Sequence, residues 1–177
     1  MIWLLACVGT GGVSLDDSST SSDDSAVDTN AGGEHLIELS INEVMADNST
    51  SYVLDDGSAP DWIELYNASE YDLDLEGFSL SDDFSTPAMS VIGSSLVVEA
   101  GDFIVLYADE GSAPESLDFR LDKDGDTLGV YTPDGQPIDL LEFGTQVQDT
   151  ALARVEDGVE GEWIYVYGGT PGESNED

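Results

Sequence analysis

From Leu36 onward the sequence consists of short strand-like segments, and this pattern limits the fold more than any other feature of the chain. Each segment is rich in apolar and β-branched residues, ends at Gly, Pro, Asp, Asn or Ser, and lacks the period of a helix. Asp124-Gly125 and Asp134-Gly135 are dipeptides typical of hairpin turns. The predicted strands lie within residues 36–46, 61–67, 72–82, 90–101, 102–109, 116–122, 126–133 and 137–144. Many short strands spaced roughly 8–12 residues apart indicate an all-β sandwich or barrel.

The segment DWIELYN, the second predicted strand, carries a charge at its centre. Because side chains alternate along a strand, Ile63 and Leu65 face one side of the sheet. Trp62, Glu64 and Tyr66 face the other side. This second face is a candidate ligand surface, since a carboxylate between two aromatic rings is typical of sugar-binding and protein-binding sites.

Two other interpretations, one structural and one catalytic, compete with a ligand surface at DWIELYN. A loop or the C-terminal segment around Trp163 can cover Trp62 and Tyr66, and we favour this interpretation because large aromatic side chains are usually buried. Glu64, with Glu43 or Asp61, can also form the carboxylate pair that a hydrolase requires. Among 39 acidic residues, however, some pairs always lie close together, so we expect Glu64 to have a structural role.

The charge of the chain excludes several classes of function. Only three basic residues accompany 39 acidic ones, which gives a formal net charge of −36. Such a surface repels nucleic acid and anionic membranes, and it favours cations, cationic proteins and neutral polymers as partners.

Cys7 is the only cysteine and His35 the only histidine. The sequence therefore excludes an intrachain disulfide and a metal site with several histidines.

The segment DKDGDT offers a candidate calcium site. Asp122, Asp124 and Asp126 imitate positions 1, 3 and 5 of a calcium-binding loop. Gly125 stands too early for the glycine of an EF-hand, and Pro133 replaces its final glutamate. We therefore expect a hairpin turn here, with at most weak calcium binding on an acidic surface.

The N-terminal residues predict a lipid anchor. LLAC resembles the lipobox of bacterial lipoproteins, with Ala6 before the cysteine and Cys7 as the lipidated residue. Residues 1–7 are too short for a whole signal peptide, so we interpret them as its remnant and expect the natural start upstream. Residues 8–34 are rich in Ser, Asp, Thr and Gly and predict a disordered acidic tether. The predicted location is extracytoplasmic, with the chain anchored by lipid to the outer membrane or cell surface.

A series of motifs runs through the folded part of the chain. These are INEVMADN at 41–48, DWIELYN at 61–67, LDLEGFSLSDD at 73–83, GDFIVLYAD at 101–109, the stretch 119–135, FGTQVQD at 143–149 and TPGESN at 170–175. Their order resembles that of lamin tail domains from Ile41 to Asn175, with Phe78 where the family usually has tryptophan. The resemblance implies an immunoglobulin-like β-sandwich, which we place at residues 36–177.

The resemblance also sets the expected function. Bacterial lamin tail domains occur in secreted and surface proteins as binding or positioning modules, and the family has no agreed catalytic residues. Arg154 stands within a family motif, which makes an ion pair between Arg154 and Glu64 the expected role of both. We predict a non-catalytic, highly acidic binding or spacer module without a cofactor. The alternatives are a module for calcium-dependent adhesion or polysaccharide binding and, third, a hydrolase that uses Glu64 and a second carboxylate.

Overall fold

The structure, a computed structural model, describes residues 36–175 of the chain. This part consists of strands and turns, with no helix long and apolar enough to cross a membrane. The strands are β1 (Leu39–Met45), β2 (Asp61–Asn67), β3 (Leu73–Asp74), β4 (Ser79–Ser81), β5 (Ser90–Val91), β6 (Val97–Val98), β7 (Phe103–Ala108), β8 (Gly125–Tyr131), β9 (Pro137–Gly144), β10 (Thr150–Arg154) and β11 (Trp163–Tyr167). The predicted all-β class is confirmed. Cys7, His35 and the predicted tether at residues 8–34 lie outside the described residues.

The strands form two main antiparallel sheets that pack as an immunoglobulin-like sandwich. One sheet has five strands in the order β11-β10-β1-β2-β7, and the other has four in the order β5-β4-β8-β9. A short ribbon of β3 and β6 completes the strand pairing in residues 36–175. Neighbours such as β1 and β10 are far apart in the chain, so the N-terminal and C-terminal halves share one sheet.

Each face of the five-stranded sheet carries its own hydrophobic cluster. The larger cluster includes Ile63 and Leu65 of β2 together with Leu128 and Val130 of β8. It contains apolar side chains from both main sheets and forms the core of the sandwich. The smaller cluster lies on the opposite face and consists of Met45, Trp62 and Ala151, with three partly buried residues packed against it. The predicted alternation along DWIELYN is therefore observed, and its second face is apolar around Trp62.

A β-bulge at Asn42 changes the side-chain alternation along β1. Ile41 pairs with Leu65 of β2, whereas Glu43 pairs with Glu64, so Asn42 is the additional residue. A bulge of this kind shifts the alternation of side chains by one position. Glu43 consequently faces the same side as Glu64, and Val44 joins the main core.

Several predicted strands differ from those observed. Residues 116–122 make only one isolated bridge, between Ser116 and Tyr107, yet Leu117 and Phe119 are buried in the core. Their alternation reflects burial of an extended connection and not a sheet strand. Residues 72–82 divide into β3 and β4 at Gly77, whose φ of 86° suits a turn. Strands β10 and β11 were not among the predicted strands, although both pair within the five-stranded sheet.

Candidate functional site

Two glutamates lie side by side beneath the outer surface of the five-stranded sheet. Glu43 of β1 and Glu64 of β2 are direct partners in the strand register. Both side chains are fully buried, with 0% of their surface exposed. The bulge at Asn42 creates this pair, because unbroken alternation would direct Glu43 into the main core. We call Glu43 and Glu64 the carboxylate pair.

The C-terminal residues 168–175, which we call the C-terminal strap, cover the carboxylate pair. The backbone N–H of Thr170 donates to Oε2 of Glu43 over 2.9 Å. The backbone N–H of Gly172 donates to Oε2 of Glu64 over 2.6 Å. Each glutamate therefore receives one backbone hydrogen bond from the strap, and such charge-assisted bonds are among the strongest in proteins.

Asn42 and Asp157 complete the polar network around the pair. The side-chain amide of Asn42 donates to Oε1 of Glu64 over 3.0 Å and to Oδ1 of Asp157 over 2.9 Å. Asp157 also accepts hydrogen bonds from the hydroxyl of Ser174 and the backbone N–H of Asn175, at 2.6 Å and 3.1 Å. Asp157 thus fixes the end of the strap to the bulge of β1.

Gly169 brings the strap into close contact with the sheet. Its φ is 67°, and a Cβ at this position would lie 2.9 Å from Cζ2 of Trp62 and 3.0 Å from Oε1 of Glu43. Only glycine adopts this conformation readily while leaving room for the indole beneath it. The strap and the ring of Tyr52, whose centroid lies 6.1 Å from that of Trp62, cover the indole, and the segment around Trp163 does not.

Burial weakens the acidity of both glutamates. Desolvation raises the pKa of Glu43 from 4.5 to about 7, an effect that the hydrogen bonds from Thr170 oppose. Desolvation likewise raises the pKa of Glu64 from 4.5 to about 7, and repulsion from Glu43 adds to the increase. Oε1 of Glu43 has no hydrogen-bond partner in residues 36–175. The pair is therefore arranged to hold a proton near neutral pH, in the manner of interacting carboxylates.

The pair has the chemistry of a general acid and base, but neither glutamate lines the open cavity around Arg154. A cavity of about 390 Å³ is lined by Ser40, Asp139, Arg154 and Trp163, among others, and by neither member of the pair. A substrate could reach Glu43 or Glu64 only after the strap had moved. The geometry favours a structural role, in which the two carboxylates hold the strap against the sheet.

Arg154 occupies a second buried polar site, on the inner side of the five-stranded sheet. Its Nη2 lies 2.8 Å from Oδ2 of Asp139, and its Nε donates to the carbonyl of Ile41 over 2.6 Å. The guanidinium carbon also lies 4.6 Å from the centroid of the Trp163 ring. The predicted ion pair between Arg154 and Glu64 is therefore corrected to Arg154 and Asp139. Glu64 faces the opposite side of the sheet, where burial beneath the strap isolates it from the guanidinium.

A family model described as Lamin Tail Domain matches residues 36–145, which is more than half of the chain. The chain belongs to the lamin tail domain family. A comparison with curated proteins found no match. The matched region ends before β10 and β11, yet β10 pairs with β1 inside the five-stranded sheet. In this lamin tail domain, the strand pairing therefore continues beyond the matched residues.

The lamin tail domain encloses the residues that the sequence offered as a ligand face. Trp62 and Glu64 are 0% exposed, so neither presents a surface to a ligand. Tyr66 is partly buried, with its ring 4.8 Å from that of Phe103 and in close contact with Gly158. The candidate face is corrected to a covered face, because the strap and the loop before β11 lie on it.

The three aspartates of DKDGDT do not converge on one point. The carboxylate of Asp122 accepts a hydrogen bond from the backbone N–H of Asp124 over 2.9 Å. Asp126 accepts one from the backbone N–H of Asp122 over 2.9 Å, and Asp124 pairs with Lys123. The described residues contain no group of three or more His, Cys, Asp or Glu side chains able to hold a metal ion. These aspartates shape the turn that leads into β8.

The sequence interpretation missed Asn42, Asp157 and the glycines of the strap. Two consecutive polar residues, Asn42 and Glu43, within an apolar strand were the available sign of the bulge, since buried polar residues require partners. The family motif TPGESN at residues 170–175 was recognised but assigned no role. Its Thr170 and Gly172 supply the backbone hydrogen bonds to the pair.

Proposed function

We propose that this lamin tail domain is a non-catalytic, anionic module that is displayed on the bacterial cell envelope from a lipid anchor and binds positively charged partners. The observation that carries the proposal is the enclosure of Glu43 and Glu64 beneath the strap. Their hydrogen bonds serve the fold, which favours a binding or spacer role over catalysis. The immunoglobulin-like fold of the family agrees with such a role.

The distribution of charge supports a cationic partner. All three basic residues are engaged in ion pairs, Arg120 with Glu110, Lys123 with Asp124 and Arg154 with Asp139. The other acidic groups therefore produce a strongly negative field around the domain. Such a field accelerates the approach of cationic proteins and repels nucleic acid.

The predicted lipobox and tether support display at the envelope. A lipid on Cys7 would place the chain at a membrane surface, and residues 8–34 would act as a spacer, because their acidic residues repel each other. Lipid anchoring often requires a second signal for stable attachment. An acidic chain cannot obtain that signal from anionic headgroups, so diacylated or triacylated cysteine is the expected form.

Mass spectrometry of the native N-terminus tests the anchor. We expect Cys7 to carry a thioether-linked lipid and to be the first residue of the mature chain. A Cys7→Ser variant should move from the membrane to the soluble fraction, whereas the matched Ser14→Ala variant in the tether should remain attached. An unmodified Cys7 in membrane-derived protein would contradict the anchor without affecting the proposed binding role.

Capture from envelope extracts tests the binding role. The immobilised folded chain should retain basic proteins that elute as salt is raised, because their attraction is electrostatic. A chain of the same composition in scrambled order provides the control, since it has the same charge without the fold. Equal capture by both chains would reduce the role to nonspecific polyanion binding.

Calcium titration tests the alternative of calcium-dependent adhesion. On the proposed function, millimolar Ca²⁺ should stabilise the chain no more than Mg²⁺, because both ions only screen its acidic surface. A calcium-specific increase in melting temperature that disappears in an Asp122→Asn/Asp126→Asn variant would favour the alternative. The matched control is Glu76→Gln/Glu99→Gln, which neutralises two exposed acids elsewhere on the surface.

A further inference from the structure

Most sheet edges in the described part of the chain are protected. At β7, the backbone N–H of Tyr107 donates to the carbonyl of Glu115 over 2.8 Å, and the N–H of Leu117 donates back to Tyr107 over 2.7 Å. The segment 115–117 thus covers this edge of the five-stranded sheet. In the four-stranded sheet, β5 is only two residues long. Short or covered edges are the usual protection against unwanted strand pairing.

The other edge of the four-stranded sheet, β9, is protected by its sequence. It begins with Pro137, which has no backbone N–H to donate, and it carries the charged residues Asp139 and Glu142. Its pairing with β8 is also irregular between Val130 and Tyr131. Proline, charge and irregular pairing all discourage the addition of another strand.

Strand β11 has none of these protections. Its sequence WIYVY contains no charge, no proline and no glycine, in a chain whose net charge is −36. The exposed fractions of Ile164, Tyr165 and Tyr167 are 44%, 56% and 80%. A bare, apolar edge strand is a template for pairing with another extended segment.

The register shows which backbone groups of β11 face outward. The N–H of Val155 donates to Glu162 at one end of the β10–β11 pair, and the N–H of Gly168 donates to Asp149 at the other. Antiparallel hydrogen bonding alternates along a strand pair. Between Glu162 and Gly168, the residues that bond to β10 are therefore Ile164 and Val166.

The remaining residues of β11, Trp163, Tyr165 and Tyr167, direct their backbone N–H and C=O groups away from β10. No hydrogen bond found within residues 36–175 satisfies these outward groups. They form a row of donors and acceptors with the spacing that an added strand requires. The two tyrosine rings stand beside this row.

The charge near β11 determines what can bind there. Glu156, Glu160 and Glu162 are exposed in the loop that leads into the strand. No basic residue opposes them, because Arg154 lies beneath Trp163 and is paired with Asp139. A second copy of the chain would bring a further net charge of −36 to this edge and would be repelled.

We propose that β11 is a strand-addition site for an extended, positively charged segment of a partner protein. The inference rests on the proposed binding role and names its surface. The partner's backbone pairs with the outward groups of Trp163, Tyr165 and Tyr167. Its Lys or Arg side chains lie over the tyrosine rings and beside the glutamates of the preceding loop.

The test uses the full chain and a short synthetic peptide in which Lys and Val alternate. Binding is measured by fluorescence anisotropy at physiological salt, and amide hydrogen exchange is followed by NMR. We expect the peptide to slow exchange at the amides of Trp163, Tyr165 and Tyr167. The amides of Ile164 and Val166 already bond to β10 and should change little.

A peptide methylated on alternate backbone nitrogens keeps its charge but should bind about tenfold more weakly, since it loses the strand hydrogen bonds.

Matched double variants separate a site at β11 from general attraction to an acidic surface. Tyr165→Lys/Tyr167→Lys should weaken peptide binding by about tenfold or more, because it removes the rings and adds like charge. The control Val53→Lys/Val97→Lys makes the same change in net charge at residues that are each 53% exposed. It should weaken binding much less. Both variants change exposed side chains, so each should fold, as circular dichroism can verify.

Four results would overturn the proposal. These are equal losses in the two double variants, equal binding of the methylated peptide, protection of the outward amides before peptide is added, and a dimer in ultracentrifugation that Tyr165→Lys/Tyr167→Lys abolishes. The third result would assign the edge to residues of the same chain outside 36–175, and the fourth to a second copy. Loss of the β11 site alone would leave the proposed function intact if the folded chain still captures basic envelope proteins.

Discussion

The two buried polar sites beside β1 compensate for buried charge in opposite ways. On the inner side of the five-stranded sheet, the guanidinium of Arg154 lies 2.8 Å from the carboxylate of Asp139, so each charge has an opposite partner. On the outer side, Glu43 and Glu64 carry the same charge and lie side by side. There the backbone of the C-terminal strap replaces a cation as the partner.

This difference has a consequence for stability. The guanidinium of Arg154 and the carboxylate of Asp139 compensate each other, so the inner site depends on both partners being present. The carboxylate pair depends on a proton and on the strap, because backbone N–H groups only partly offset the loss of hydration. The outer site should therefore respond to changes of pH, whereas the inner site should respond to removal of either partner.

Substitution of Arg154 should produce the largest loss of stability. Arg154→Met leaves the buried carboxylate of Asp139 without its partner and should lower the free energy of unfolding by about 3–5 kcal/mol. The control is Arg120→Met, because Arg120 and Glu110 form an ion pair with side chains that are 65% and 59% exposed. The control should change stability by less than about 1 kcal/mol. Urea denaturation of both variants checks the prediction, and similar losses would mean that the inner site has no special role.

Lifting the strap should have the second-largest effect. Gly169→Ala places a Cβ against Trp62 in addition to straining a positive φ, and should lower the free energy of unfolding by roughly 2–4 kcal/mol. Gly168→Ala is the matched control, since its φ of 89° is also positive but no atom lies within 4 Å of the added Cβ. It should carry only the backbone strain, of about 1 kcal/mol. Equal melting temperatures in the two variants would show that the strap does not pack tightly on Trp62.

Neutralising one member of the carboxylate pair should stabilise the domain at alkaline pH. The folded-state pKa of Glu43, about 7, exceeds its ordinary value of 4.5, so the folded state holds more protons between these values. Its contribution to stability is therefore complete below the ordinary pKa and is lost as pH rises through the folded pKa. Glu43→Gln keeps an oxygen for Thr170 and should raise the free energy of unfolding by roughly 2 kcal/mol near pH 8.

The stability of Glu43→Gln should also depend less on pH than that of the unsubstituted chain. Urea denaturation from about pH 5 to pH 8 should show a smaller decline of stability in Glu43→Gln than in the unsubstituted chain. Glu142→Gln removes one charge from an exposed position of β9 and should leave the decline unchanged. Parallel curves for Glu43→Gln and the unsubstituted chain would contradict the assignment of this pH dependence to the carboxylate pair.

The sequence predicted the fold well where residues act locally. Alternation placed Ile63 and Leu65 in the core, and turn residues delimited most strands. Residues 116–122 show the limit of this reasoning, because apolar residues alternate in the same way in a buried connection as in a strand. The register of β10 depends on pairing with β1 across more than a hundred residues, which local patterns do not encode.

The site was less predictable than the fold, for a physical reason. The position of Glu43 depends on a one-residue bulge at Asn42, and strict alternation assigns it to the wrong face. The cover over Trp62 was expected, but a strap of Gly, Thr and Pro lacks the apolar residues that predict burial. Arg154 pairs with Asp139 because both lie between the two sheets, and this proximity is determined by tertiary packing.

A carboxyl ¹³C NMR titration of Glu43 and Glu64 shows whether these residues share a buried, proton-dependent site beneath the strap. We expect the pair to titrate with apparent pKa values near 7, and the amide signals of Thr170 and Gly172 to move with it. Titration of both side chains at their ordinary value of 4.5, with the two amides unaffected, would contradict this expectation.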